Sequence, residues 1–547
     1  MSELAFITAT PPTPNGGLHV GHMAGPYIAA DVLRRHLVAS GVDAVLTTAM
    51  DDHQTYCQTA GLRDGRSAEE VADANGDLIE DTWRAAGVEF DSSVRPRRDP
   101  EHPALVQKFF RSLYDAGHLV ARTLPVPWCG SCEHWLVEAF VKGGCPHCGA
   151  SSGGNACEAC GRPNHCGDLV DPHCVVCGTA GELRDIERLF FPLERLEDEL
   201  LGFWSEVRMP PHLRALCEAM LADGLPEIAV TQPGDWGIEV PVKGYEDQRI
   251  YVWFEMGPGY LHEARRGAEA VGLPDGERLT TDPGVPFVQF FGFDNGYFHP
   301  LLFPAAFRAF DRAIRLPTQF VVNEFYRLDG LKFSTSRRHA VWAADLLADE
   351  SADVVRWHVL GDRPEGRQTN FTLEALAATR ARLEELWDGW IGRLTATVAE
   401  SCDGVVPDER PDGPEWQALR TLLERGCDQL QAAYGTDGFD PRTAVRLLET
   451  LLSAAADFGH AHDHAAGPAS LRGLHRAAVT AQLTALQALA AWSAPIAPGV
   501  AERVAELVGY TGPMTADRAA LTPPPAGRAV GEPTGSVLER ERVACHA

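Results

Sequence analysis

The chain has 547 residues and no run of roughly 18 uncharged apolar ones, the length that spans a bilayer. Its first residues, Met1-Ser2-Glu3-Leu4-Ala5-Phe6-Ile7, lack a basic stretch ahead of an apolar one, so no secretory signal is expected. Positive charge is scarce: 48 Lys and Arg stand against 76 Asp and Glu, a formal net charge of −28. Such a balance favours solubility and repels polyanions on average, which lowers the expectation of tight nucleic-acid binding. A cytoplasmic monomer without a membrane partner is the expectation. Hydrophobic content of 45% and charged content of 23% are those of a globular chain long enough for several domains.

The cysteines are concentrated. Eight of fourteen form four CxxC pairs, Cys129/Cys132, Cys145/Cys148, Cys157/Cys160 and Cys174/Cys177. In a cytosolic chain this density reads as metal rather than disulfide. A knuckle presents two thiolates, and two knuckles complete a tetrahedron around zinc. Cys145, Cys148, Cys157 and Cys160 are closest in sequence and are assigned one zinc. Cys129, Cys132, Cys174 and Cys177 then close around a second. His165, Cys166 and His173 are alternative ligands. A site of four thiolates is structural, because it leaves no open position for catalysis.

Leu4–Thr8 reads as a buried strand, His22–Leu37 carries helical periodicity, and Ala44–Thr48 reads as a second strand. This is a βαβ unit with a Pro/Gly loop, Pro14-Asn15-Gly16-Gly17-Leu18-His19-Val20-Gly21-His22, at the helix start. Nucleotide phosphates lie naturally over the amides of such a helix. His19 and His22, three apart, share a face and suit charge building on phosphates. Gly21 lets a base approach the backbone. Asp51, just beyond the second strand, can hold an ammonium group. Further on, Arg249–Phe254, Phe287–Gly292 and Gln319–Glu324 read as strands, with Asp294 beyond the second of these.

The HVGH element and Lys332-Phe333-Ser334-Thr335-Ser336-Arg337 together resemble the HIGH and KMSKS elements of class I aminoacyl-tRNA synthetases. The order of HVGH, Asp51-Asp52-His53, the knuckles, DWGI, YVWF, FFG, YFH, VVNE and KFSTSR resembles the methionyl-tRNA synthetase family over roughly residues 3 to 512. The resemblance implies an α/β class I Rossmann fold with a zinc-binding connective insert, a stem-contact segment and a C-terminal α-helical bundle. The expected boundaries are 1–118 and 226–325 for the Rossmann halves, 119–225 for the insert and 326–371 for the stem-contact segment. The bundle is expected over 372–512 and a poorly ordered tail over 513–547.

The resemblance also implies roles. His19, His22 and Lys332 would be catalytic. Asn15, Gly17, Gly21, Asp294, Ser334 and Ser336 would bind ATP, with Mg²⁺ shielding its phosphates. Pro11, Thr13, Asp51, Trp253, Met256, Tyr260 and His299 would hold the amino acid.

Several positions depart from the family. Pro11 and Thr13 stand where a leucine and a tyrosine are usual. Glu255-Met256-Gly257 replaces Asp-Ala-Pro, and Thr335 and Phe293 replace lysines. The asparagine and the Pro-Trp pair that read the anticodon have become Gly389 and the stretch His460–Gly467. These changes argue for an enzyme that makes an aminoacyl-adenylate from an amino acid other than methionine. A small hydroxyl or amine nucleophile would then take the acyl group, beside a separate cupin partner. Methionyl-tRNA synthetase-like proteins of hydrazine-forming natural-product pathways work in this way. A divergent tRNA ligase and a non-catalytic binding protein are the other readings.

Overall fold

A computed structural model describes residues 3–157, 159–333 and 340–539. Five parallel strands form the central sheet: β1 (Leu4–Ala9), β2 (Asp43–Ala49), β3 (Ser92–Val94), β4 (Phe287–Gly292) and β5 (Gln319–Asn323), in the order β5-β4-β1-β2-β3. Every residue of β1 and β5 is buried, as expected of parallel strands covered on both faces. The chain leaves β1 toward β2 and returns through β4 on the other side. The crevice at the carboxyl ends of β1 and β4 is therefore a topological switch point, where ligands bind in open α/β sheets.

Two elements differ from the sequence expectation. The helix expected from His22 is interrupted: Val20–His22 is helical, Met23–Tyr27 is a π-helical turn, and α1 runs from Ile28 to Ala39. Pro26 brings no N–H, and Gly25 leaves helical geometry with ψ −121°. The strand expected at Arg249–Phe254 ends at Ile250, and α2 spans Val252–Ala270. Its β-branched and aromatic composition misleads, because Val252, Met256, Tyr260, Glu263 and Gly267 recur at helical spacing and are all buried. Packing decides over local propensity.

The insert is built on the long antiparallel pair Val120–Cys129 and Glu182–Pro192. The C-terminal bundle contains α3 (Trp390–Ser401), α4 (Pro414–Tyr434), α5 (Pro441–His462) and α6 (Arg472–Ser493). Arg356 fastens this bundle to the sheet domain. Fully buried, it pairs with Asp31 of α1 at 2.6 Å and donates to the carbonyls of Gly87, Pro495 and Ile496.

The poorly ordered tail expected from residue 513 is corrected through residue 539. Ala520, Leu521, Val537 and Leu538 are buried in the core. Its backbone is held by Gln487, Trp492, Arg503 and Asp388 side chains. A few apolar residues suffice once the bundle supplies partners for main-chain polar groups. Among the described residues, no helix is long and apolar enough to cross a membrane.

Candidate active site and cysteine clusters

The two signature elements, over three hundred residues apart in sequence, meet beside the crevice. The His19 and His22 rings stack at 3.7 Å, and the His22 Nδ1 accepts from the His19 backbone N–H at 3.1 Å. Phe333 stacks on the other side of His19 at 4.6 Å. A Cβ at Gly21 would lie 3.0 Å from the His19 ring and 3.3 Å from Phe333, so only glycine fits between them without a shift. Beyond the lysine loop, Val341 accepts from the Val20 N–H, and Ala343 donates to Leu18. Lys332 ends a short strand, Leu331–Lys332. Ser334 and Ser336 lie outside the described residues.

The loop after β1 is pinned to the loop after β2. The Asp51 N–H donates to Pro12, and Thr13 Oγ1 donates to Asp51 Oδ2 at 3.3 Å. Pro11 is buried; Thr13, Asn15 and Gly17 are half-buried. The Asn15 N–H donates to Thr13 within the loop, and a Cβ on Gly17 would press on Leu78 at 3.2 Å. Burial holds the Asp51 carboxyl well above the usual range, with Gln54 and Thr13 opposing and Glu255 and Glu138 adding to the rise. A bound ammonium group would restore its charge. Asp294 stands half-buried on the turn Phe293–Asn295 that follows β4. His19, His22, Asp51 and Asp294 thus all lie at one edge of the sheet.

On α2, Trp253, Met256 and Tyr260 are spaced to share a face. The Trp253 ring lies flat on Phe298 at 3.8 Å and 4°. Met256 is buried in the same apolar cluster. Tyr260 contacts His299 Nε2 at 2.9 Å, while His299 Nδ1 faces the Asn295 carbonyl at 3.3 Å. That carbonyl fixes the tautomer: Nδ1 donates and Nε2 accepts from the tyrosine hydroxyl. Burial lowers the His299 pKa to about 3, so the ring is neutral.

Sequence reasoning missed the charged network behind this pocket. Glu255, 4% exposed, receives His53 Nδ1 at 2.9 Å and His102 Nε2 at 3.0 Å. Burial alone would raise its pKa, yet His53 and His102 bring it down to about 2. Burial likewise disfavours a charged His53, and Glu255 outweighs it. The only signal in sequence was an acid inside an apolar, aromatic stretch. Its two partners sit 202 and 153 residues away.

The cysteines group as the spacing predicts: Cys129, Cys132, Cys174 and Cys177 in one cluster, Cys145, Cys148, Cys157 and Cys160 in the other. Sulfur separations include 3.4 Å for Cys129–Cys177, 3.9 Å for Cys145–Cys160 and 3.6 Å for Cys148–Cys157. A zinc tetrahedron with Zn–S bonds of about 2.3 Å has edges of about 3.8 Å, so both donor sets fit Zn²⁺.

In the bundle, α3 and the end of α5 border a small crevice lined by Arg393, His460, His462, Asp463 and His475. Trp390 there is 1% exposed and donates to Gln482. Among the described residues, the most exposed Phe, Tyr or Trp ring is Tyr56, at 37%, on the helix Thr55–Asp64.

A parallel sheet with a histidine pair at its switch point, the phenylalanine after the signature lysine stacked on that pair and a cysteine-rich insert define a class I aminoacyl-tRNA synthetase. Residues 5–393 match the family described as tRNA synthetases class I (M). The methionine–tRNA ligase of Thermomicrobium roseum is 30% identical over 521 residues, covering 93% of this chain and 88% of that protein. The ligase of Pyrobaculum calidifontis is 30% identical over 526 residues, covering 94% and 90%. The Mycobacterium tuberculosis methionyl-tRNA synthetase in complex with methionyl-adenylate shares the fold at a TM-score of 0.81 and 21% identity, covering 98% of this chain and 100% of that one. The chain belongs to the methionyl-tRNA synthetase family, and is an ATP-dependent ligase of class I.

Proposed function

We propose that this enzyme activates an amino acid other than methionine as its adenylate and transfers the acyl group to a small nucleophile rather than to tRNA. The observation that carries the first half is the side-chain compartment. Trp253 lies flat on Phe298 with no gap between the rings, and Met256 adds bulk on the same helix face. A side chain smaller than methionine's suits that volume. His19 and His22 stabilise the phosphates, Lys332, Ser334 and Ser336 close over the pyrophosphate, and Asp51 anchors the ammonium group. Asn15, Gly17, Gly21 and Asp294 line the nucleotide, and Mg²⁺ shields its charge. Pro11, Thr13, Tyr260 and His299 complete the amino-acid pocket, and two zinc ions hold the insert.

The acceptor half is supported by the bundle. Single-stranded bases are gripped by stacking, worth about 1–3 kcal/mol each. At the crevice between α3 and α5 the tryptophan is buried and the Pro-Trp pair of the family is absent. A hydroxyl- or amine-bearing metabolite, as in hydrazine-type natural-product assembly with a separate cupin, fits this loss. The test is ATP–pyrophosphate exchange with each of the twenty amino acids, repeated with tRNA. Exchange with a smaller amino acid and indifference to tRNA is the expected result. Exchange with methionine and charging of its tRNA would overturn the proposal.

A further inference from the structure

A cavity of about 320 Å³ lies between the insert and the second half of the Rossmann domain. Its walls include Arg188, His165, Gln232, Tyr251 and Tyr297. Arg188 is only 3% exposed, on the insert strand Glu182–Pro192, and its Nε and Nη2 have no hydrogen-bond partner. Among the described residues, no carboxylate oxygen comes within 4 Å of it; the Phe190 ring lies 5.2 Å from the guanidinium carbon, and Asp168 acts on its charge from further off. A buried guanidinium with unpartnered N–H groups is costly, and Cys166 and Asp168 offset only part of the burial.

The cavity backs onto the amino-acid pocket. Tyr297 touches Phe298 at 4.5 Å, and Phe298 carries Trp253. Tyr251 immediately precedes α2. A second buried group stands nearby: Glu138, 1% exposed, accepts from Thr55 at 3.3 Å and is further held by Tyr251 and Gln232 of the cavity wall. Burial pushes its carboxyl up to about 7.

Resting on the acyl-transfer reading above, we propose that this cavity is the acceptor subsite, with Arg188 binding a carboxylate on the small nucleophile. A guanidinium fork matches the two oxygens of a carboxylate, and Arg188 brings unsatisfied N–H groups to the cavity wall. Phosphate fits less well, because Asp168 and Glu227 also line the cavity and repel a dianion. The carboxylate end is held away from the adenylate and the amine or hydroxyl end points toward it. In the transfer, the nucleophile's lone pair forms the new bond to the adenylate carbonyl carbon. The bond from that carbon to the phosphate oxygen breaks, AMP leaves with the electron pair, and the nucleophile's proton passes to solvent.

The experiment is calorimetric titration of the full chain with 4-aminobutyrate, butylamine and inorganic phosphate, for wild type, Arg188→Met and Arg188→Lys. Zinc content and the thermal midpoint report whether each variant has folded. Wild type is expected to bind 4-aminobutyrate at least tenfold more tightly than butylamine. Arg188→Met is expected to erase that preference and Arg188→Lys to keep part of it. Equal binding of the two amines, or a preference that survives Arg188→Met, would overturn the subsite, and so would phosphate binding tighter than 4-aminobutyrate. Arg188-dependent binding in a protein that exchanges pyrophosphate with no amino acid would support the subsite and overturn the activation reading.

Discussion

At the scale of single residues, the proposed chemistry and the stability rest on different groups. His22 stacks on His19 beside the crevice, where charge would build on the departing phosphates. His22→Ala is expected to lower pyrophosphate exchange about 10²-fold; a loss below about threefold would remove that role. Glu263 belongs to the stability side. It lies 1% exposed beneath β2, where Thr47 Oγ1 donates to it at 3.0 Å. Burial raises its pKa from 4.5 to about 8, with Thr47 opposing. The native state therefore keeps the proton over a range where the unfolded chain has lost it. Stability from this group is full below pH 4.5 and declines as pH climbs through about 8. Glutamine cannot ionise, so the melting temperature of Glu263→Gln should gain on wild type between pH 5 and pH 9, by about 3 °C or more. A constant difference across that range would mean that Glu263 does not titrate there.

At the scale of elements, the zinc insert and the inter-domain tie should fail separately. Cys145→Ser breaks one cluster and leaves the other four thiolates together. Zinc content by atomic emission should fall from about two ions per chain to about one, with protease sensitivity appearing first in the insert. Retention of both ions would exclude Cys145 as a ligand. Arg356→Ala removes a buried ion pair and several carbonyl contacts between α1 and the bundle. Urea unfolding should show a loss of about 3–5 kcal/mol, and a loss under about 1 kcal/mol would show that the domains are held by apolar packing alone. Elements of this kind were unevenly legible in sequence. β1, β2 and β4 announced themselves as short apolar runs closed by turn residues, and the knuckles by spacing. The helix start at Val252 did not, because β-branched and aromatic residues favour a strand until helical spacing over nineteen residues is weighed. Nor did the strapped tail, whose backbone partners lie on distant helices. The histidine pair and Asp51 were legible because strand ends place them. Glu255 with His53 and His102, and Arg188 in its cavity, depend on contacts between remote segments that no local pattern encodes.

At the scale of the whole molecule, charge and surface aromatics bear on tRNA together. A tRNA ligase must draw a polyanion onto its bundle, and phosphate contacts make such binding steeply salt-dependent. This chain carries a net charge of −28, and its four lysines include Lys332 in the signature loop. On the bundle, Arg393 remains exposed beside the small crevice, while the neighbouring Trp390 is committed to the core. On the proposed small-molecule acceptor, electrostatic attraction and base stacking are both expected to be weak where an anticodon would be read. Filter binding of total tRNA at 150 mM salt is expected to give a Kd no tighter than the roughly 10⁻⁴–10⁻⁶ M of non-specific binding, and saturating tRNA should leave the rate of AMP release unchanged within about twofold. A nanomolar Kd for one tRNA species, lost on changing its anticodon, would mean that this bundle reads bases by means other than stacking, and the acceptor would then be tRNA.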